Sequence, residues 1–249
     1  MRTRPGGCPD SIAFSGVDGA GKSTQVQALS GALRQAGLRV RVIPFWDEVA
    51  RLRNFREAAA SGLFKSEKGV GAPGAPVNRR DKNVRSSGMT LVRLFLYLVD
   101  ALSLRSTMRK TKRMDCDIVI FDRFIYDELA NLNLQSPAIR AYVRLILALV
   151  PQPRIGFLLD ADPVQARARK PEYPLDFLYL NRNSYLALSR LVPGITVIDP
   201  MPADSVSREI ARHVNANLSA QRGCKLGSSR NFSRAMEDPA GPRTRSVVP

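Results

Sequence analysis

Histidine is almost missing from this 249-residue chain. His213 is the only one, which leaves little material for Ser-His-Asp chemistry or for multi-histidine metal sites. Cysteine is nearly as scarce: Cys8, Cys116 and Cys224 are scattered and odd in number, so there is neither a disulfide framework nor a metal-ligand spacing. No stretch reaches the ~18 uninterrupted apolar residues of a membrane span, and Met1 to Asp10 lacks the apolar run of a secretory signal. The expected location is cytoplasmic. Acidic residues are in short supply too, with 22 Asp and Glu against 38 Lys and Arg, a net charge of +16.

What is present is ordinary globular material, 44% hydrophobic and 24% charged, enough for one catalytic domain of ~200 residues with an appendage. The positive excess points to an anionic partner, and its placement narrows the choice. Half of it sits in two segments. Residues 65–85 carry six basic and two acidic residues around a Gly-Val-Gly-Ala-Pro-Gly-Ala-Pro run and read as a flexible basic insertion; residues 220–249 have the same balance with few apolar residues and read as a disordered tail. No basic helix, zinc spacing or aromatic platform accompanies the charge, so a nucleic-acid interface is not expected.

Residues 1–10 are expected to be flexible, and residues 11–219 to form the domain. Short apolar segments at Ser11–Ser15, Arg39–Pro44, Asp117–Phe121, Gly156–Leu159 and Gly194–Ile198 read as strands. Between them, Ser23–Ala36 is amphipathic through Val26, Leu29 and Leu33 and stops at Gly37; Thr90–Lys110 is apolar and long enough to be a buried helix. Ser136 and Pro137 cap a helix that ends before Pro151. Strands separated by helices need crossovers, which predicts an α/β, doubly wound five-stranded parallel sheet with helices on both faces.

Three segments carry chemistry. Gly16-Val17-Asp18-Gly19-Ala20-Gly21-Lys22-Ser23 follows a strand and opens a helix, the context in which glycine-rich backbone N–H groups cradle phosphates, Lys22 neutralises the terminal ones and Ser23 holds Mg²⁺. Ile118 to Arg123 is an apolar strand that delivers Asp122 and Arg123 at its carboxyl end, where Asp122 could orient Mg²⁺ and Arg123 clamp a second phosphate. A structural ion pair is the plain alternative for that pair. Arg167-Ala168-Arg169-Lys170 follows Asp160-Ala161-Asp162-Pro163 and suits either a closing lid, which would neutralise charge and exclude water, or a solvated basic face.

Phe14 to Gln25, Asp122-Arg123-Phe124, and Asp160 to Tyr185 with Pro171-Glu172-Tyr173-Pro174-Leu175-Asp176-Phe177 and Arg182 together resemble thymidylate kinases in order and spacing, from Ser11 to about Asn217. The resemblance implies the P-loop nucleoside monophosphate kinase fold and ATP held by Gly16, Gly19, Gly21, Lys22, Ser23 and Thr24. It further implies Mg²⁺ at Ser23 and Asp122, Asp18 facing the acceptor sugar, Arg123 the acceptor phosphate, and Tyr173 the sugar and base edge. Gly19 stands where one branch of the family has a loop arginine, so the transition-state arginine should come from the lid, residues 163–176, through Arg167 or Arg169. The resemblance also implies a homodimer through the long helix at Thr90–Lys110.

The departures fall in the acceptor half. Ser15 replaces an acidic residue before the loop glycine, Phe45-Trp46-Asp47-Glu48 replaces a Glu-Arg or Glu-Pro-Gly type of sequence, and Asp127 stands where a small hydroxyl residue is usual. Tyr97 falls at the ring that stacks on thymine, but Ala101 falls where an arginine would read the base. The expected activity is γ-phosphoryl transfer from Mg-ATP to a nucleoside monophosphate, dTMP first. Alternatives are a kinase for a related nucleoside or another small phosphorylated acceptor, and a regulatory NTPase; the chain has no Asn-Lys-x-Asp guanine-reading segment.

Overall fold

The computed structural model describes residues 9–49 and 87–222. The expected insertion at 65–85 lies outside them, as do residues 1–8 and 223–249. In chain order the elements are β1 (Asp10–Gly16), α1 (Lys22–Gln35), β2 (Val40–Pro44), a short wide helical turn at Phe45–Val49, α2 (Ser87–Thr111), β3 (Ile118–Asp122), α3 (Tyr126–Leu129), α4 (Pro137–Leu149), β4 (Ile155–Leu159), α5 (Pro163–Arg169), α6 (Leu175–Ser189), β5 (Ile195–Ile198) and α7 (Ala203–Arg222).

All five strands are parallel, in the order β2-β3-β1-β4-β5. The near-continuous apolar runs resolve into alternation once paired. Ile12, Phe14, Ile118, Ile120, Ile155, Phe157 and Leu159 pack with Val26, Leu29 and Leu33 of α1 and Ile210 and Val214 of α7. Ala13, Val119, Phe121 and Leu158 pack on the other face with α2, α4 and α6. Both faces are dry, as a parallel sheet wrapped by its crossovers requires. Each wholly buried side chain, such as Ile12, Phe14, Leu29 or Phe157, contributes roughly 1.5–3 kcal/mol relative to exposure.

The doubly wound parallel sheet is thus as expected, with boundary shifts that have local causes. Asp10, assigned to the flexible start, opens β1: its N–H donates to Asp117 O at 3.1 Å and Arg154 pairs with its carboxylate at 3.2 Å. Helix α7 runs through Arg222, past the expected boundary at 219, because Ile210, Val214 and Leu218 give it a buried stripe at four-residue spacing. Among the described residues no helix is long and apolar enough to cross a membrane.

β1 lies at the centre of the sheet, with later strands added on either side of it. The crevice outside the carboxyl ends of β1, β3 and β4 is where such sheets bind ligands.

Candidate active site

At that edge β1 ends in Gly16, with φ +145°, and a Cβ there would meet Leu159 O at 2.3 Å. Only glycine lets the strand keep its pairing with β4 to the last residue. The loop then turns through Asp18 to Gly21 into α1, whose N-terminal residue Gly21 offers no capping side chain. A helix start without a side-chain cap suits an anion. Lys22 is 5% exposed and lies back across the loop, donating to Gly16 O at 2.6 Å and Val17 O at 2.9 Å. Ser23 and Thr24 stand exposed on the first turn of α1.

Strand β3 brings Asp122 beside Ser23: Ser23 Oγ donates to Asp122 Oδ2 at 3.2 Å, across 99 residues of sequence. The other carboxylate oxygen, Oδ1, is buried and has no hydrogen-bond partner among the described residues. A hydroxyl and a carboxylate with an unused oxygen are the hard oxygen donors Mg²⁺ takes, so these residues fit the ion. Among the described residues no group of three or more His, Cys, Asp or Glu is arranged for a metal. The remaining ligands would be phosphate oxygens and water.

Arg123 follows with φ 75°, a left-handed conformation that costs a non-glycine residue about 1 kcal/mol or more. Its partners explain why it is held there. Nη2 donates to Asp18 Oδ1 at 2.7 Å, and Nη1 lies 3.6 Å from Asp127 Oδ1. Burial works against the guanidinium charge, but Asp18 and Asp127 outweigh it and raise its pKa. Asp127 in turn accepts from Ser15 Oγ at 2.6 Å, Phe124 N–H at 3.2 Å and Tyr185 OH at 2.9 Å. Burial pushes the Tyr185 hydroxyl well above the usual tyrosine range, with Asp127 adding to it, so it stays a donor.

Helix α5 forms the near wall of the loop. Asp162 caps it, accepting from Gln165 N–H, and Pro163 takes its first position. A Cβ at Gly19, where φ is +87°, would meet Ala166 O at 2.3 Å. The backbone of α5 thus occupies the space a side chain at position 19 would need. Arg169 Nη1 donates to Gly19 O at 3.2 Å, whereas Arg167, two residues earlier, leaves the helix about 200° around from it. At the base of this helix Arg182 of α6 grips Asp160 in a fork, with bonds of 2.7 and 2.6 Å.

No protein-family model matches the chain. It is 30% identical over 223 residues to the thymidylate kinase of Xanthomonas euvesicatoria pv. vesicatoria, with 84% of each chain covered. The chain belongs to the thymidylate kinase family. A "Probable thymidylate kinase" of Methanosphaera stadtmanae is 26% identical over 209 residues, covering 81% of this chain and 95% of that one. The crystal structure of thymidylate kinase from Ehrlichia chaffeensis superposes with a TM-score of 0.52 at 21% identity over 83% of this chain, a likeness of fold.

Within that family frame, the structure gathers Asp18, Lys22, Ser23, Asp122, Arg123 and Arg169 at one sheet edge. Two further expected residues, Tyr97 and Tyr173, are buried side chains. Tyr97 is 7% exposed and packs in the larger core with Ala101 and Leu104. Tyr173 is buried against Phe177, with ring centres 5.0 Å apart. Arg105 donates to Leu149 O at 2.7 Å, while Arg93 lines a cavity of about 450 Å³ with Asn131, Asn133, Asn181 and Asn183. Sequence reading did not connect Ser15, Asp127 and Tyr185. Ser15 and Asp127 are two of the departures from the family pattern, and they bond to each other.

Proposed function

We propose that this protein transfers the γ-phosphoryl group of Mg-ATP to a nucleoside monophosphate, dTMP before others. The observation that carries the reading is the Arg123–Asp18 bond at 2.7 Å, which joins an anion-binding arginine at a strand end directly to the phosphate loop. A donor and an acceptor phosphate held at these two places would be neighbours.

The loop N–H groups and Lys22 would hold the β- and γ-phosphates, and Arg123 the acceptor's phosphate. Arg169 would face the moving group from the lid. A cleft beside the loop, lined by Ala20, Arg169, Pro200 and Met201 among others, is about 30 Å³ and would have to open to take the base of ATP. Bound at Ser23 and Asp122, Mg²⁺ would supply charge neutralisation across the phosphates. Catalysis is then positioning and electrostatic stabilisation, with no covalent intermediate needed. Such chemistry uses the ATP of the cytoplasm.

Asp122→Asn should raise the Mg²⁺ concentration for half-maximal rate about tenfold or more while shifting the melting temperature little, since among the described residues the Asp122 carboxylate bonds only to Ser23. A magnesium titration of the rate beside a thermal melt checks this. Loss of folding would instead mark Asp122 as structural.

The acceptor is tested by kcat/KM for dTMP, dUMP, dCMP and dGMP at one ATP and Mg²⁺ concentration. With Ala101 buried and Arg105 committed to a carbonyl, base reading falls to shape and to the Arg93 and asparagine cavity. Apolar shape alone separates similar substrates by ~10- to 200-fold, so dUMP should be used measurably and dGMP poorly. Rapid use of a non-nucleotide acceptor with rejection of dTMP would overturn the reading.

The proposal extends to a homodimer through α2. Leu91, Phe95 and Leu102 are 69%, 62% and 50% exposed at spacings of four and seven, which puts them on one helix face. Light scattering should give a dimer mass for the wild type and a monomer mass for Phe95→Asp/Leu102→Asp. A monomeric wild type at tens of micromolar would refute this arrangement.

A further inference from the structure

Asp127 lies outside the phosphate loop and beyond the strand end, yet donors converge on it from three elements. Ser15 of β1 bonds to Oδ2 at 2.6 Å and the Phe124 N–H to the same oxygen at 3.2 Å. Tyr185 of α6 bonds to Oδ1 at 2.9 Å, and Arg123 Nη1 lies 3.6 Å from that oxygen. The side chain is 2% exposed.

Asp18, the other carboxylate on Arg123, is differently placed. It belongs to the loop that must close around a polyphosphate, and besides Arg123 it lies 4.0 Å from Lys22. An incoming phosphate monoester would compete with Asp18 for the guanidinium, because both are anions that accept from the same N–H fork. Asp127 cannot be displaced in that way, since three donors besides Arg123 fix both of its oxygens.

We propose that Asp127 is the positioning residue of the acceptor half: it keeps the Arg123 guanidinium aimed while Asp18 lets go, and Ser15 and Tyr185 act by holding Asp127. Arg123 is then anchored from the protein interior, and the loop is free to rearrange around its substrates without losing the clamp. The inference rests on the reading of Arg123 as the clamp for the acceptor's phosphate.

The test compares Asp127→Asn, Tyr185→Phe and Ser15→Ala with the wild type. Asp127→Asn keeps the shape and removes the charge. It should raise KM for dTMP at least tenfold and leave KM for ATP within twofold, a split that a general loss of stability would not produce. Tyr185→Phe and Ser15→Ala, each removing one donor, should raise the same KM two- to fivefold. In parallel, the guanidinium ¹⁵N–¹H signals of Arg123, assigned by their loss in Arg123→Lys, should exchange with solvent slowly in the wild type and at least tenfold faster in Asp127→Asn. Unchanged exchange, or equal changes in both KM values, overturns the proposal. If Asp127→Asn does not fold, Tyr185→Phe decides by the same two readouts. A wild type that does not turn over dTMP would sink the functional reading alone, and the exchange rates would then decide whether Asp127 holds Arg123.

Discussion

Lys22→Ala is expected to lower kcat by ~10²–10³-fold, the effect of removing one preorganised donor from developing charge. The protein should still fold. Lys22 Nζ bonds to the carbonyls of Gly16 and Val17, and each such bond contributes ~1 kcal/mol net. For a chain of this size that corresponds to a loss of roughly 2–4 °C in melting temperature per bond. Steady-state kinetics with a thermal melt on the same preparation separate the two effects. Near-normal turnover would remove the phosphate-loop assignment, because a cation poised over the loop carbonyls would then have no chemical task.

Arg169→Ala should lower kcat by ~10²-fold or more, whereas Arg167→Ala should change it less than about threefold. An arginine that stabilises transferring charge contributes up to 10³–10⁵ in comparable reactions, and residues two apart leave a helix about 200° from each other. Arg169 already reaches Gly19 O; Arg167 lies on another side of α5. The interaction strengthens when the phosphoryl group is in flight, so KM for ATP should rise less than kcat falls. Equal and small effects of both substitutions would return the pair to a solvated basic face.

The ordering of the two arginines shows what the sequence could and could not supply. Strands and the phosphate loop were legible to within a residue or two, since apolar runs and glycine spacing are local signals. Helix α7 had a signal as well, in Val206, Ile210, Val214 and Leu218, but polar residues between them masked the stripe. The Asp127 cluster had none: Ser15 and Asp127 are 112 residues apart, and nothing local in either says that a hydroxyl faces a carboxylate. Tyr97 shows another limit: its burial in the larger core with Leu96, Ala101 and Leu104 comes from tertiary packing that its position on α2 does not reveal.

The contact between Gly19 and the backbone of Ala166 also bears on descent. The resemblance implies two possible sources for a transition-state arginine, the loop at position 19 or the lid, and at position 19 the backbone of α5 is in the way. A loop arginine at position 19 would enter at a left-handed φ and strike a carbonyl before its side chain could extend. Gly19→Arg alone should therefore be inactive, and no single substitution leads from one design to the other. An arginine at position 19 could be accommodated only if α5 first moved away from the loop.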